Sequence, residues 1–208
     1  MYYDFNLRCP KVFEFFRLNE SLEFKRRVQD RLSARRFEHC LAVGEMLYEL
    51  DRSVGRNTSL VLGLAHDFTK EIPDSQTLEM IWKNKLPLYE GEMENRQTLH
   101  AVTAAFLFRK VFPAAPLTYS FAIRHHTILS CEYFSDICFN LYVADKIDRT
   151  RSHISEEFRN SIICEKTPLK RAYRILSMQD SFLESKGVGF LKCTSALYER
   201  LRIEYGSD

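Results

Sequence analysis

Apolar residues recur at three- and four-residue spacing in segment after segment of this chain, the pattern of helices that each bury one face. Only seven glycines and six prolines interrupt it. The β-branched runs are short, and no Asn-Gly or Asp-Gly pair separates alternating segments, so strands are not expected. The pattern predicts an all-α protein without internal repeats. A first helix is expected from Pro10 to about Leu32, anchored by Phe13, Phe16 and Phe24, with Lys25-Arg26-Arg27 on a solvated face. Ser33 is placed to cap a second helix reaching about Asp51, in which His39, Val43, Met46 and Leu50 share one stripe. Thr58 is placed to cap a third, whose Leu60 to Ala65 run is apolar all round and therefore buried, with His66 and Asp67 at its end.

A short helix with Ile81 and Trp82 follows, and then an acidic connection from Pro87 to Asn95 that reads as exposed and mobile, bordering the active site. The spacing then predicts a helix from about Gln97 to Val111 with His100, Ala104, Leu107 and Val111 on one stripe, and another from Leu117 to His126 opened by Pro113 and Pro116. His125 points away from His126 on that helix and is assigned, like His153, to a surface or structural position. Ser135 is placed to cap a helix ending at Asp145, after the apolar run Cys138 to Ala144. Thr167-Pro168 opens a helix reaching Ser185, and a last helix spans about Thr194 to Tyr205.

At 208 residues and 45% hydrophobic content, the chain fits one domain with a sizeable core: a catalytic core at about 33–152 and helical supports at 1–32 and 153–208. Thirty basic against twenty-eight acidic residues leave a net charge of +2, too near balance for a nucleic-acid partner or a membrane surface. The six cysteines show no CxxC pair or framework spacing, and several lie in apolar runs, as expected of buried thiols in a reducing cytoplasm. No run approaches the roughly 20 apolar residues of a membrane span, and the early Asp4 does not suit a leader. A cytoplasmic protein is expected, and homodimer formation is left open.

The chemistry lies in six residues in the order H…HD…H…H…D: His39, His66, Asp67, His100, His126 and Asp145. Imidazole and carboxylate donors together suit a borderline divalent cation such as iron, manganese, cobalt or zinc, and such a cation activates water. A single inward-facing histidine is more often a hydrogen-bonded core residue than a ligand. Six such groups converging would instead need many separately satisfied buried polar atoms if no site existed. Arg36 lies one turn before His39, Lys70 a turn after His66, and Asp148, Arg149 and Arg151 follow Asp145, where a phosphate chain leaving the metal would run.

These residues resemble the HD-domain phosphohydrolases, a helical superfamily of metal-dependent enzymes acting on phosphate esters and anhydrides. The segments Leu32-Ser33-Ala34-Arg35-Arg36-Phe37-Glu38-His39, Leu62 to Lys70, Ala122 to Thr127 and Leu141 to Asp148 are similar to the YqeK-like symmetrical bis(5′-nucleosyl)-tetraphosphatases. The resemblance implies an HD-domain helical bundle with additional N- and C-terminal helices. It implies that His39, His66, Asp67 and Asp145 bind the metal, usually iron in this branch. It implies further that Arg36, Lys70, His100, His126, Thr127 and Arg151 line the nucleotide, and that diadenosine tetraphosphate is cut into two ADP. Where the branch has a Glu-Pro-Gly-Arg-like turn, this chain has Asp148-Arg149-Thr150-Arg151, and Ile128-Leu129-Ser130 replaces a glycine after His-Thr.

In the expected mechanism Lys70, Arg36 and Arg151 neutralise charge building on phosphate oxygens. Asp67 and Asp145 face both metal and nucleotide. His100 and His126 have two candidate roles: orienting phosphate and donating a proton to the leaving group, or ligating a second ion with Asp67 bridging. The alternatives are an HD-type phosphohydrolase of another nucleotide and a non-catalytic nucleotide sensor, which would be expected to have lost a ligand.

Overall fold

In the computed structural model, which describes residues 14–130 and 135–206, the protein is all-α, and no strand occurs among those residues. Ten α-helices are formed there: α1 Leu18–Gln29, α2 Ala34–Leu50, α3 Arg56–His66, α4 Asp74–Lys83, α5 Leu99–Val111, α6 Leu117–His125, α7 Asp136–Ile147, α8 Glu156–Ile163, α9 Pro168–Glu184 and α10 Lys192–Tyr205. No helix there is long and apolar enough to cross a membrane.

Helices α2 and α3 form the centre, α7 packs across α2, and α5 and α6 close the other flank. One large cluster of buried side chains runs through all of these and on to α9 and α10 through Ile175, Leu176, Leu197 and Leu201. The tightest approach is backbone to backbone. A Cβ on Gly63 would lie 2.5 Å from the Gly44 Cα and 2.7 Å from the Cys40 carbonyl oxygen, so α2 and α3 meet this closely only because position 63 has no side chain.

Ser33 caps α2 by accepting from the Arg36 amide at 3.3 Å, and Thr167 caps α9 in the same way from Lys170. The stripe of His39, Val43, Met46 and Leu50 is buried as its spacing requires. Several expectations need correction. The first helix begins at Leu18, not Pro10; Pro10 and Phe13 lie outside the described residues, and the segment before α1 is extended because it caps another helix. Glu14 accepts from the Asn57 backbone and side chain at the start of α3, and the Phe15 amide donates to Thr58 Oγ1 at 3.1 Å. Thr58 is therefore an acceptor inside the first turn, and Gly55 occupies the cap position.

On α5 the buried face is His100, Ala101, Ala104, Ala105 and Phe108; Val111 is exposed. Ser135 stands at the cap position of α7 without capping, because its hydroxyl is turned to Cys138 Sγ at 3.0 Å. The last helix starts two residues early, at Lys192, and α8 is an element the apolar pattern did not predict. It is a short helix with Ser155 capping Phe158 and two glutamates in its first turn, where they favour the helix dipole.

Gly63→Ala is expected to lower stability by about 2–3 kcal/mol or more, since neither backbone can yield without separating α2 from α3. A urea midpoint that falls at unchanged slope is the readout.

Candidate metal and phosphate site

The six candidate residues come together where the ends of α3, α6 and α7 meet the middle of α2 and the start of α5. His66 is the last residue of α3, and Asp67 leaves the helix with φ −107° and ψ 13°, which turns two neighbouring side chains toward one point. His39, His66, Asp67, His100, His126 and Asp145 are all buried.

Their donor atoms form two groups sharing Asp67. In the first, His39 Nε2 lies 3.3 Å from His66 Nε2 and 3.1 Å from Asp145 Oδ1, while Asp67 Oδ2 lies 3.7 Å from His39 Nε2 and 3.6 Å from His66 Nε2. Ligand atoms about 2.0–2.2 Å from one ion stand roughly 3–3.6 Å apart. In the second, Asp67 Oδ1 lies 2.9 Å from His100 Nε2 and 3.6 Å from His126 Nε2, and the two imidazole nitrogens are 3.0 Å apart. The same crowding of donors thus occurs on each oxygen of one carboxylate.

The other ring nitrogens decide which lone pairs face inward. His66 Nδ1 sits 2.6 Å from the Gly63 carbonyl, His126 Nδ1 2.7 Å from that of Ile123, and His100 Nδ1 2.8 Å from that of Gln97. A carbonyl only accepts, so each Nδ1 carries the hydrogen and Nε2 is the atom each ring turns toward the carboxylates, a lone pair wherever no second proton is bound. Such a set of acceptors without a cation or protons between them is strongly unfavourable, and it fits one or two divalent ions.

His39 shows the same demand. Burial alone lowers its pKa, yet hydrogen bonds and charge from Asp145 and Asp148 outweigh this and raise it to about 9, so that a proton takes the place a cation would fill. Burial pushes His126 down to about 3 and also lowers His100. Burial would raise Asp67 and Asp145, but His66 and His100 hold the first, and Lys146 with His39 the second, well below the usual carboxylate range.

A ring of cations encloses the carboxylates. Arg36 Nη1 donates to Asp67 Oδ2 at 2.6 Å, Lys146 Nζ to Asp145 Oδ2 at 2.6 Å, and Arg151 Nη2 to Asp145 Oδ1 at 2.7 Å. Lys70 Nζ donates to the Gln97 carbonyl at 3.1 Å beside His100, and burial lowers its pKa. Thr127, next to His126, has a buried hydroxyl with no partner among the described residues.

Two of the residues expected at the nucleotide, Asp148 and Arg149, stand outside the two donor groups. The Asp148 side chain is fully buried behind His39, where it accepts from Nδ1 at 3.2 Å, and Thr150 and Arg151 hold its two oxygens; it orients His39 rather than facing the cavity. Arg149 is turned outward onto Glu49 at 2.9 Å.

The Pro87 to Asn95 connection is not the mobile segment its composition suggests. Glu92 is completely buried and bridges Arg124, whose two guanidinium nitrogens donate to it at 2.8 and 2.5 Å. Tyr89 Oη sits 2.7 Å from His125 Nε2 and 2.9 Å from Ser130 Oγ, so it clamps both ends of the turn that carries His126 and Thr127. His125 is therefore buried and structural. No local signal could have disclosed this pairing, since Glu92 and Arg124 are 32 residues apart in sequence.

A family model of the HD domain matches residues 36–151, more than half of the chain, and the chain belongs to the HD domain family. Proteins of Mycoplasma genitalium and Mycoplasma pneumoniae, each named as a probable nicotinate-nucleotide adenylyltransferase/Ap4A hydrolase, are 27% and 28% identical to it over 150 and 160 residues. Those alignments cover 68% and 71% of this chain but 41% and 43% of the relatives, so the chain spans less than half their length. The crystal structure of a predicted HD superfamily hydrolase involved in NAD metabolism from Clostridium acetobutylicum has the same fold, with a TM-score of 0.75 at 20% identity over 88% of this chain and 96% of that one.

Tyr89→Phe is expected to cost about 1–3 kcal/mol, because it strips a partner from buried His125 and Ser130 together; chemical denaturation at unchanged helicity measures it. Asp148→Asn is expected to weaken metal uptake roughly 10–100-fold by loosening His39, read from a competitive chelator titration.

Proposed function

We propose that the chain is a metal-dependent phosphohydrolase that cleaves dinucleoside tetraphosphates symmetrically, diadenosine tetraphosphate to two ADP. The observation that carries this reading is the crowding of buried histidine nitrogens on both oxygens of Asp67, with cations placed for phosphate on their rim. The Ap4A hydrolase part of the names of the mycoplasma relatives, and the YqeK-like segments around His39, His66, His126 and Asp145, support the choice of substrate. Residues 33–152 are proposed as the catalytic core.

His39, His66, Asp67 and Asp145 would hold the first ion, taken as iron from the resemblance, with manganese, cobalt or zinc as the other metals such donors suit. A bound divalent ion would supply Lewis acidity and hydroxide near neutral pH. Asp67, His100 and His126 would either hold a second ion or act directly on phosphate. In the direct role, His100 and His126 would have to carry a proton on Nε2 to donate to phosphate oxygens, and Lys70, with a lowered pKa beside His100, is placed to supply a proton to the leaving ADP. Arg36 and Arg151 now neutralise Asp67 and Asp145; once a cation takes over that task, both guanidinium groups are available to the phosphate chain. A cytoplasmic setting is consistent with Cys40, Cys138, Cys164 and Cys193, which are free thiols among the described residues.

Metal-replete protein incubated with diadenosine tetraphosphate is expected to release ADP alone, and chelation to abolish this. ATP with AMP, or no cleavage at all, would reject symmetrical hydrolysis and leave another nucleotide as the substrate of the same site.

A further inference from the structure

A polar cavity of about 820 Å³ opens beside the donor cluster, walled by the first turns of α2, by Glu71 and by residues 149–153. Its volume falls within the roughly 300–1,000 Å³ of small-molecule sites. Its inner end is His39 with Arg36 and Arg151, the side chains that touch Asp67 and Asp145; its outer wall adds Arg35, Arg149 and His153 against Glu38 and Glu71.

Most of these charges are already matched. Arg36 is bound to Asp67, Arg151 to Asp145 and Asp148, Arg149 to Glu49, and Glu71 accepts from the Ser33 amide and hydroxyl at 2.7 and 2.6 Å. Among the described residues, Arg35 and His153 take part in no ion pair although both line the cavity, and of the lining carboxylates Glu38 likewise has none. Arg35 also sits in the first turn of a 17-residue helix, where the backbone dipole adds positive potential. The cavity wall thus presents two unmatched donors, Arg35 and His153, against the single unmatched carboxylate of Glu38 at its mouth, and matched cations at its root, where a chain of phosphates leaving the cluster would be bound.

Resting on the symmetrical-cleavage reading, we propose that this cavity is the subsite for the second nucleoside diphosphate of the substrate, with Arg35 and His153 holding its phosphates. A cut between the two central phosphates leaves a nucleoside diphosphate on each side of the cluster. Lys70, His100, His126 and Thr127 stand on one side, and the cavity with Arg35 and His153 on the other. The preference for two-ended over one-ended nucleotides is then set by residues 35 and 153 rather than by the metal ligands.

The test is calorimetric titration of the metal-loaded full chain with ADP. Two ADP per chain are expected, and Arg35→Ala/His153→Ala should weaken the second at least tenfold, with Arg35→Lys alone recovering part of the loss. Both residues are exposed, and circular dichroism at wild-type helicity would show the variants folded. One ADP per chain or none in the wild type, or two bound equally tightly by wild type and double variant, would overturn the inference. Symmetrical cleavage by a chain that binds one ADP would remove the subsite and leave the reaction; two ADP sites on a chain that does not cleave diadenosine tetraphosphate would do the reverse.

Discussion

The site exists because two helix backbones touch. Gly63 lets α3 lie against Gly44 and Cys40 of α2, and one turn beyond that contact on α3, and one turn before it on α2, stand His66 and His39. Their Nε2 atoms meet at 3.3 Å as a consequence of the backbone separation, not of any attraction between two imidazoles. The same glycine supplies the carbonyl that fixes the ring of His66. A side chain at 63 would widen the gap and release the ring orientation together, so packing and chemistry answer to one missing Cβ.

Once those rings are fixed, the electrostatics follow from burial. Asp67, Asp145 and Asp148 lie within a few per cent of complete burial, and three carboxylates so close together survive there only with compensating positive charge. The fold supplies it from the rim through Arg36, Lys146 and Arg151, and within the cluster through a protonated His39. The arrangement is therefore poised for exchange. A cation held by these donors would take over the role of the proton and relieve the rim cations, which would then be free for an anionic ligand without leaving a buried carboxylate unpaired.

How far the sequence discloses this depends on the range of the interaction concerned. His39, His66 and Asp145 were legible because each sits on an apolar stripe, where burial follows from helical spacing and a buried polar group needs a reason. Ser33 and Thr167 were legible because capping is local. Glu14 capping α3 was not, since donor and acceptor are 43 residues apart and nothing in either segment names the other. Glu92 misled for the same reason: an acidic, glycine-containing connection reads as solvated, and only the distant Arg124 makes its burial tolerable. The different surroundings of Asp148 and Arg149 were not legible because adjacent residues at a helix end diverge, one inward to His39 and the other outward to Glu49. Helix α8 was missed because its stability comes from its cap and first-turn acids more than from an apolar stripe.

The division between core and rim bears on what such a site can be made to do. The ligand positions are overdetermined: each donor is buried, each histidine has its second nitrogen held, and the carboxylates are countered from outside, so a change there is felt through the whole cluster. The rim is not. In the run after Asp145 this chain has Asp148-Arg149-Thr150-Arg151, and Thr150 reaches Asp148 and lies 3.4 Å from His39 Nδ1 while Arg151 still reaches Asp145. The altered turn therefore keeps its grip on the cluster while changing the surface it offers to solvent. Substitutions of that kind leave the packing of the centre intact and alter only the charges beside it, so under the proposed reading residues outside the H…HD…D set would decide the substrate.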